Sequence, residues 1–79
     1  MPPDTFDSKI KAAFGAAVKH RRKEIAITQE ALAEKAGLHR TYIADIERGA
    51  RNLSLVNIVK IARGLSMTVA ELCGAMELI

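Results

Sequence analysis

The sequence predicts an all-α domain of five helices, and three observations carry that prediction. Leu, Ile, Val and Ala dominate a hydrophobic fraction of 49%, aromatics make up only 4%, and both prolines stand at the N-terminus. Apolar side chains recur at the three-and-four spacing of half-buried helices. Cap residues and glycines punctuate the chain at mutually consistent places. Seventy-nine residues make one small domain, near the size at which a single core contributes only a few kcal/mol, so association would help it.

Residues 1–7, with Pro2 and Pro3, read as a flexible arm, and residues 8–79 as one folded unit. Asp7 or Ser8 can cap the first helix, whose buried stripe is Ile10, Ala13, Phe14, Ala17 and Val18. Its last turns hold His20, Arg21, Arg22 and Lys23, where cations suit the helix dipole, and it ends near Glu24. Ile27, Thr28 and Leu32 have the spacing of a hydrophobic staple around an N-cap, so the second helix starts at Thr28. The device recurs at Leu53, Ser54 and Ile58 and at Met67, Thr68 and Leu72, opening helices four and five, and Thr68 with Glu71 makes a capping box. Gly37, Gly49 and Gly64 stand where helices two, three and four should stop in a left-handed residue. Helix four should bury Leu55, Ile58, Val59 and Ala62; helix five offers Val69, Leu72, Cys73 and Met76 at helical spacing.

Thr28 to Gly49 carries the strongest functional signal. Counting from Gln29, small Ala33 is fifth, Gly37 ninth, Ile43 fifteenth and Ile46 eighteenth, which is the helix-turn-helix spacing. Two helices crossing steeply need a small side chain at the crossing and a residue tolerating positive φ at the turn, and Ala33 and Gly37 supply them. Leu32, Leu38, Ile43 and Ile46 then point inward, leaving His39, Arg40, Thr41, Ala44, Asp45 and Arg48 on a face that can enter a DNA groove. The competing reading of the same segment is a helical hairpin with a solvated face.

From about Phe14 to Leu72 the chain resembles the lambda-repressor-like, or XRE-type, family of five-helix DNA-binding domains, through TQEALAEKAG, IERG and RNLSLVNIVKIARGL. Its length and the run GLHRTYIADIERGARNLSL resemble the controller proteins of bacterial restriction-modification systems. That resemblance implies a homodimeric transcription regulator on a palindromic operator that controls its own gene and activates the endonuclease gene. The chain departs from the pattern at Ala26, where glycine is common and a left-handed alanine costs about 1 kcal/mol. It departs again at His39, where Ser, Thr, Asn or Asp would cap the third helix.

Arg40 starts the third helix, and its planar fork suits guanine O6 and N7. Thr41 can touch a thymine methyl or donate to a base edge; Asp45 can accept from cytosine N4, or more simply orient an arginine; His39 and Ala44 complete the base-reading face. Thr28 and Gln29 lie at a helix N-terminus that should abut the sugar-phosphate chain, although Thr28 can serve only as a cap. Tyr42 can be core with its hydroxyl on the backbone. Arg48, Arg51, Asn52 and Ser54 complete the phosphate set, with Arg51 alternatively paired to Glu47. Val69, Leu72, Met76, Leu78 and Ile79 exceed what one core-facing stripe of the last helix needs, predicting a dimer interface shared with the start of helix four. Glu30 and Glu34 share one face of helix two. Either they are merely solvated or, as in lambda-type repressors that also activate, they meet RNA polymerase.

The net charge of +3 is modest, but residues 65–79 contain no Lys or Arg, so that end avoids phosphate. The lone Cys73 reads as a small buried apolar side chain, without disulfide, and suits a reducing cytoplasm. No spaced Cys/His set suggests a metal, no cofactor is implied, and neither a signal peptide nor a membrane span is visible. No nucleophile, base and orienter combine, so an enzyme is not expected. Two rivals to the controller reading stand: an antitoxin-type regulator holding a toxin, and a helical interaction module without DNA.

Overall fold

In the computed structural model, residues 5–77 are described, and they form α1 (Thr5–Glu24), α2 (Gln29–Ala36), α3 (Arg40–Glu47), α4 (Leu55–Gly64) and α5 (Val69–Gly74), with no strand among them. Residues 1–4 of the expected arm, and Leu78 and Ile79 of the expected interface, lie outside the described residues. The arm boundary needs correction, because Thr5, Phe6 and Asp7 are already helical. Asp7 lies in the first turn, where a carboxylate favours the helix N-terminus, rather than in front of it as a cap.

The three N-caps expected for helices two, four and five form. Thr28 Oγ1 accepts from Ala31 N at 3.0 Å, Ser54 Oγ from Asn57 N at 3.1 Å, and Thr68 and Glu71 make the reciprocal capping box. Each cap contributes about 1 kcal/mol. Helices α1 to α4 all end in the same paired hydrogen bonds around a left-handed residue, which is Ala26 (φ 57°), Gly37 (70°), Gly49 (73°) and Ser66 (56°) respectively. Ala26 therefore closes α1 as a glycine would, through Ala26 N to Lys23 O at 3.0 Å and Ile27 N to Arg22 O at 3.1 Å. Gly64 is not the stop predicted for α4. It lies inside the helix, buried, because a Cβ there would come within 2.9 Å of Leu32 Cδ1 and 3.4 Å of Ala36 Cβ, so the missing side chain lets α4 approach α2.

The core gathers Phe14, Ala17 and Val18 of α1, Leu32 and Ala33 of α2, Ile43 and Ile46 of α3, Ile61, Ala62 and Leu65 at the end of α4, and Leu72 of α5. Three expectations fail against it. Leu72 is fully buried in its own domain and is not available to a partner. Cys73 is exposed, one residue round the helix from Leu72 on a short α5 that packs one narrow face. Leu55 and Val59 are exposed as well. At about 100° per residue the packed stripe of Ile58, Ile61, Ala62 and Leu65 leaves Leu55 at its margin, Val59 beyond it and Val56 nearly opposite.

One ion pair joins three helices. Arg22 Nε and Nη2, from the end of α1, donate to Glu47 Oε2 and Oε1 at 2.7 and 3.0 Å, at the end of α3. Gln29 Nε2, the first residue of α2, donates to the same Oε1 at 3.0 Å, and Arg22 Nη1 holds the Ile27 carbonyl at 2.9 Å. The Arg22 and Glu47 side chains are only 11% and 3% exposed. Burial alone would raise the Glu47 carboxyl, but the hydrogen bonds from Arg22 and Gln29 and the charges of Arg22 and Lys19 outweigh it, holding the pKa below the ordinary carboxylate value.

A depressed folded pKa means that this contribution is complete above the unfolded value of about 4.3 and is lost as the pH falls through the lower folded one. Glu47→Gln strands a largely buried guanidinium and should cost about 3 kcal/mol or more at pH 7. Its melting temperature should also fall less steeply than that of the wild type between pH 5 and pH 3. Parallel melting curves for the two proteins over that range would show that Glu47 does not titrate as described.

Candidate nucleic-acid interface

Ile43 and Ile46, both in the core, fix the rotation of α3 and so decide which residues it shows. His39, Arg40 and Thr41 are exposed at its start, while Ala44 and Asp45 are half-buried further along. His39 is the N-cap residue but makes no side-chain cap, so the first amides of α3 keep their donors for something else. Arg40 makes no hydrogen bond or ion pair with any described residue. An uncapped helix end with an unpaired guanidinium beside it suits an anion and a hydrogen-bonding base edge.

Asp45 does not stand alone. It accepts from Arg48 and from Arg51, the latter at 3.2 Å, so the carboxylate holds two arginines at the rim of the exposed face. The alternative pairing of Arg51 with Glu47 does not occur, because Arg22 and Gln29 occupy that carboxylate. The Arg51 guanidinium also lies over the Tyr42 ring, 5.0 Å from its centroid. Tyr42 packs partly on the core, and its hydroxyl accepts from Asn57 Nδ2 at 3.0 Å. Gly37, Leu38, His39, Thr41, Tyr42, Arg51 and Asn57 enclose a shallow cleft of ≈490 Å³ between the turn, α3 and α4.

The remaining sequence candidates divide by how they are used. Thr28 and Ser54 accept caps through their oxygens and keep their hydroxyl protons to donate. Gln29 spends an amide proton on Glu47. Asn52 is exposed. Of the basic run in α1, Arg22 is in the ion pair, and Arg21 donates to the Leu65 carbonyl at 3.1 Å and to Glu24 at 2.7 Å. Lys19 and Lys23 stay exposed. Glu30 and Glu34 are exposed on α2 with no ion pair among the described residues, Lys35 included. Among the described residues no helix is long and apolar enough to cross a membrane. Asn57 and the Arg22–Glu47 pair were missed by the sequence reading; both join residues distant in the chain, and no local pattern announces either.

The helix-turn-helix family model matches residues 18–72. The chain is 46% identical over 69 residues to the control protein C.MunI of Mycoplasma sp, covering 86% of this chain and 93% of that one. It is 46% identical over 66 residues to the control protein C.BamHI of Bacillus amyloliquefaciens, covering 82% of each. Among solved structures it is similar to the restriction-modification controller protein C.AhdI of Aeromonas hydrophila, with TM-score 0.76 and 42% identity over 78% of this chain and 94% of that one. C.Esp1396I, solved bound to a 19 base pair DNA duplex, aligns with TM-score 0.76 and 36% identity over 81% of this chain and 85% of that one. With the elements, the spacing and these likenesses in agreement, the chain belongs to the helix-turn-helix family and is a transcriptional regulator similar to the controller proteins of restriction-modification systems.

Proposed function

We propose that this regulator binds a two-fold operator as a homodimer, each subunit placing α3 in the major groove, and that it both represses and activates as a restriction-modification controller. The observation that carries the reading is the start of α3: an uncapped N-terminus, an unpaired Arg40 and an exposed Thr41, flanked by the arginines that Asp45 holds. Variants of C.Esp1396I with alanine at three consecutive residues, Arg, Thr and Tyr, have been solved, and Arg40, Thr41 and Tyr42 form the same run here. Arg40 and Thr41 read bases, with His39 and Ala44 beside them; Arg48, Asn52 and the hydroxyls of Thr28 and Ser54 contact phosphates and fix register.

The dimer surface is revised from the sequence expectation. Leu72 is excluded by its burial, and Leu55 and Val56 of α4, at 71% and 62% exposed, take its place with Val59 and the half-buried Val69 and Met76. A second copy fits this surface because a two-fold operator needs paired recognition helices about 34 Å apart. Glu30 and Glu34 add nothing to phosphate affinity and no described residue pairs with them, which supports a contact with RNA polymerase at the adjacent promoter.

Arg40→Ala should lower operator affinity by about 1 to 3 kcal/mol and relax base choice, whereas Arg48→Ala should weaken operator and random DNA alike and flatten the salt dependence. Competition binding that shows equal loss of discrimination in both would remove the division between base and phosphate contacts.

Val56→Glu should give a monomer with near-normal melting, because that side chain is mostly exposed in its own subunit; Leu72→Ala should instead lose about 2 to 5 kcal/mol of folding stability. Sedimentation equilibrium decides the point, and a Val56→Glu protein that remains dimeric would refute this surface.

Reversing the α2 charges, Glu34→Lys alone and with Glu30→Lys, should keep or strengthen operator binding while abolishing activation. Promoter output unchanged in the double variant would exclude the polymerase contact.

A further inference from the structure

Asn57 is the third residue of α4, and the Ser54 cap holds its backbone N–H at 3.1 Å. The cap uses only the main chain, so the side chain leaves from a fixed point and reaches across to α3, where Nδ2 donates to the Tyr42 hydroxyl at 3.0 Å. On the ring face, Arg51 lies 5.0 Å from the centroid and is itself tied to Asp45 at 3.2 Å. The ring is thus gripped at its face and at its tip by two residues outside α3. It forms a wall of the cleft that His39 and Thr41 also line; Arg40, between those two in the chain, pairs with no described residue.

A phenol hydroxyl has one proton and two acceptor sites. A donor at Asn57 fills an acceptor site and leaves the proton to be donated outward. Nothing in α4 needs this bond for folding, since Ile58, Ile61 and Ala62 anchor the helix and Ser54 caps it. We infer that Asn57 is a positioning residue for DNA: it fixes the Tyr42 ring and turns its hydroxyl into a donor aimed at a backbone phosphate oxygen beside the base-reading residues. The inference rests on the proposed operator binding. It assigns to α4 a part in recognition without requiring α4 to touch DNA, and it makes Arg51 a second holder of the same ring as well as a cation at the rim.

Tyr42 is the single tyrosine, and the chain has no tryptophan, so tyrosine fluorescence reports on this ring alone. The experiment compares wild type, Asn57→Ala, Asn57→Ser, Tyr42→Phe and the Asn57→Ala/Tyr42→Phe double variant, by circular dichroism, acrylamide quenching and titration with operator duplex. Asn57→Ala and Asn57→Ser should keep the helical spectrum and melting temperature, increase quenching of the ring, and weaken operator binding about threefold to tenfold, the scale of one hydrogen bond. Tyr42→Phe should lose a similar factor, and the double variant no more than Tyr42→Phe alone. Losses that multiply in the double variant, or quenching and affinity unchanged in both Asn57 variants, would overturn the inference. A wild type that shows no sequence-selective binding would overturn the operator reading together with it, whereas selective wild-type binding with multiplying losses overturns the Asn57 role alone.

Discussion

The carboxylate of Glu47 is the point on which the placement of α3 depends. Arg22 from α1 and Gln29 from α2 both end on it, and Glu47 is the last residue of α3, so one group fixes three helices at a single corner. The backbone allows this only because α1 comes unusually close. Gly15 faces the end of α3, and a Cβ there would overlap the Ile46 carbonyl oxygen and stand 2.9 Å from that of Glu47. Gly15 and Arg22 are seven residues apart, two turns along one face of α1, so close approach and ion pair are two parts of one seam. A buried pair of this kind is weak as a source of net stability, since desolvation offsets most of the attraction. Its geometry is demanding, however, and any rotation of α3 would strand a charge. The seam therefore sets orientation, which the proposed entry of α3 into a groove needs more than it needs stability.

Local chemistry made most of the fold legible. Thr28, Ser54 and Thr68 each announce a helix start through a side-chain oxygen and a staple that lie within five residues of one another, and all three caps form. Gly37 and Gly49 announce two of the stops. The failures come where tertiary packing decides. Gly64 looked like a stop and is an approach site for Leu32, while the left-handed residue is Ser66, which nothing local distinguishes from any other serine. Leu55 and Val59 looked like core because they are apolar in a helix, yet α4 has two apolar faces and, among the described residues, only one is packed against the core. Cys73 and Leu72 exchanged roles for the same reason: on a six-residue helix, spacing alone cannot choose the packed side.

In the site, position was legible and pairing was not. The helix-turn-helix spacing located Arg40 and Thr41 on the exposed start of α3 through the residues that must point inward, Ile43 and Ile46. It also allowed an orienting role for Asp45. Which arginines Asp45 holds, and that Glu47 is already occupied, follow only from the folded chain. Asn57 had no signal at all, because its partner Tyr42 is fifteen residues away and an asparagine near a helix start is ordinary.

The two ends of α3 are built on opposite terms. At its C-terminal end every strong group is matched, with Glu47 saturated by Arg22 and Gln29 and Gly49 closing the helix. At its N-terminal end His39 leaves amides without a side-chain cap, Arg40 pairs with no described residue, and the Tyr42 hydroxyl retains a proton. A capped start would have added about 1 kcal/mol to the fold. Forgoing it leaves donors that only an acceptor from outside can satisfy, and a polyanion with acceptors along its groove supplies many at once. The arginines on Asp45 complete this arrangement. Exposed ion pairs are worth about 0 to 1 kcal/mol, so Asp45 can hold Arg48 and Arg51 in place yet release them to phosphate at little cost. Rigidity at one end of the helix and unsatisfied donors at the other are thus complementary: the matched end fixes where the unmatched end points.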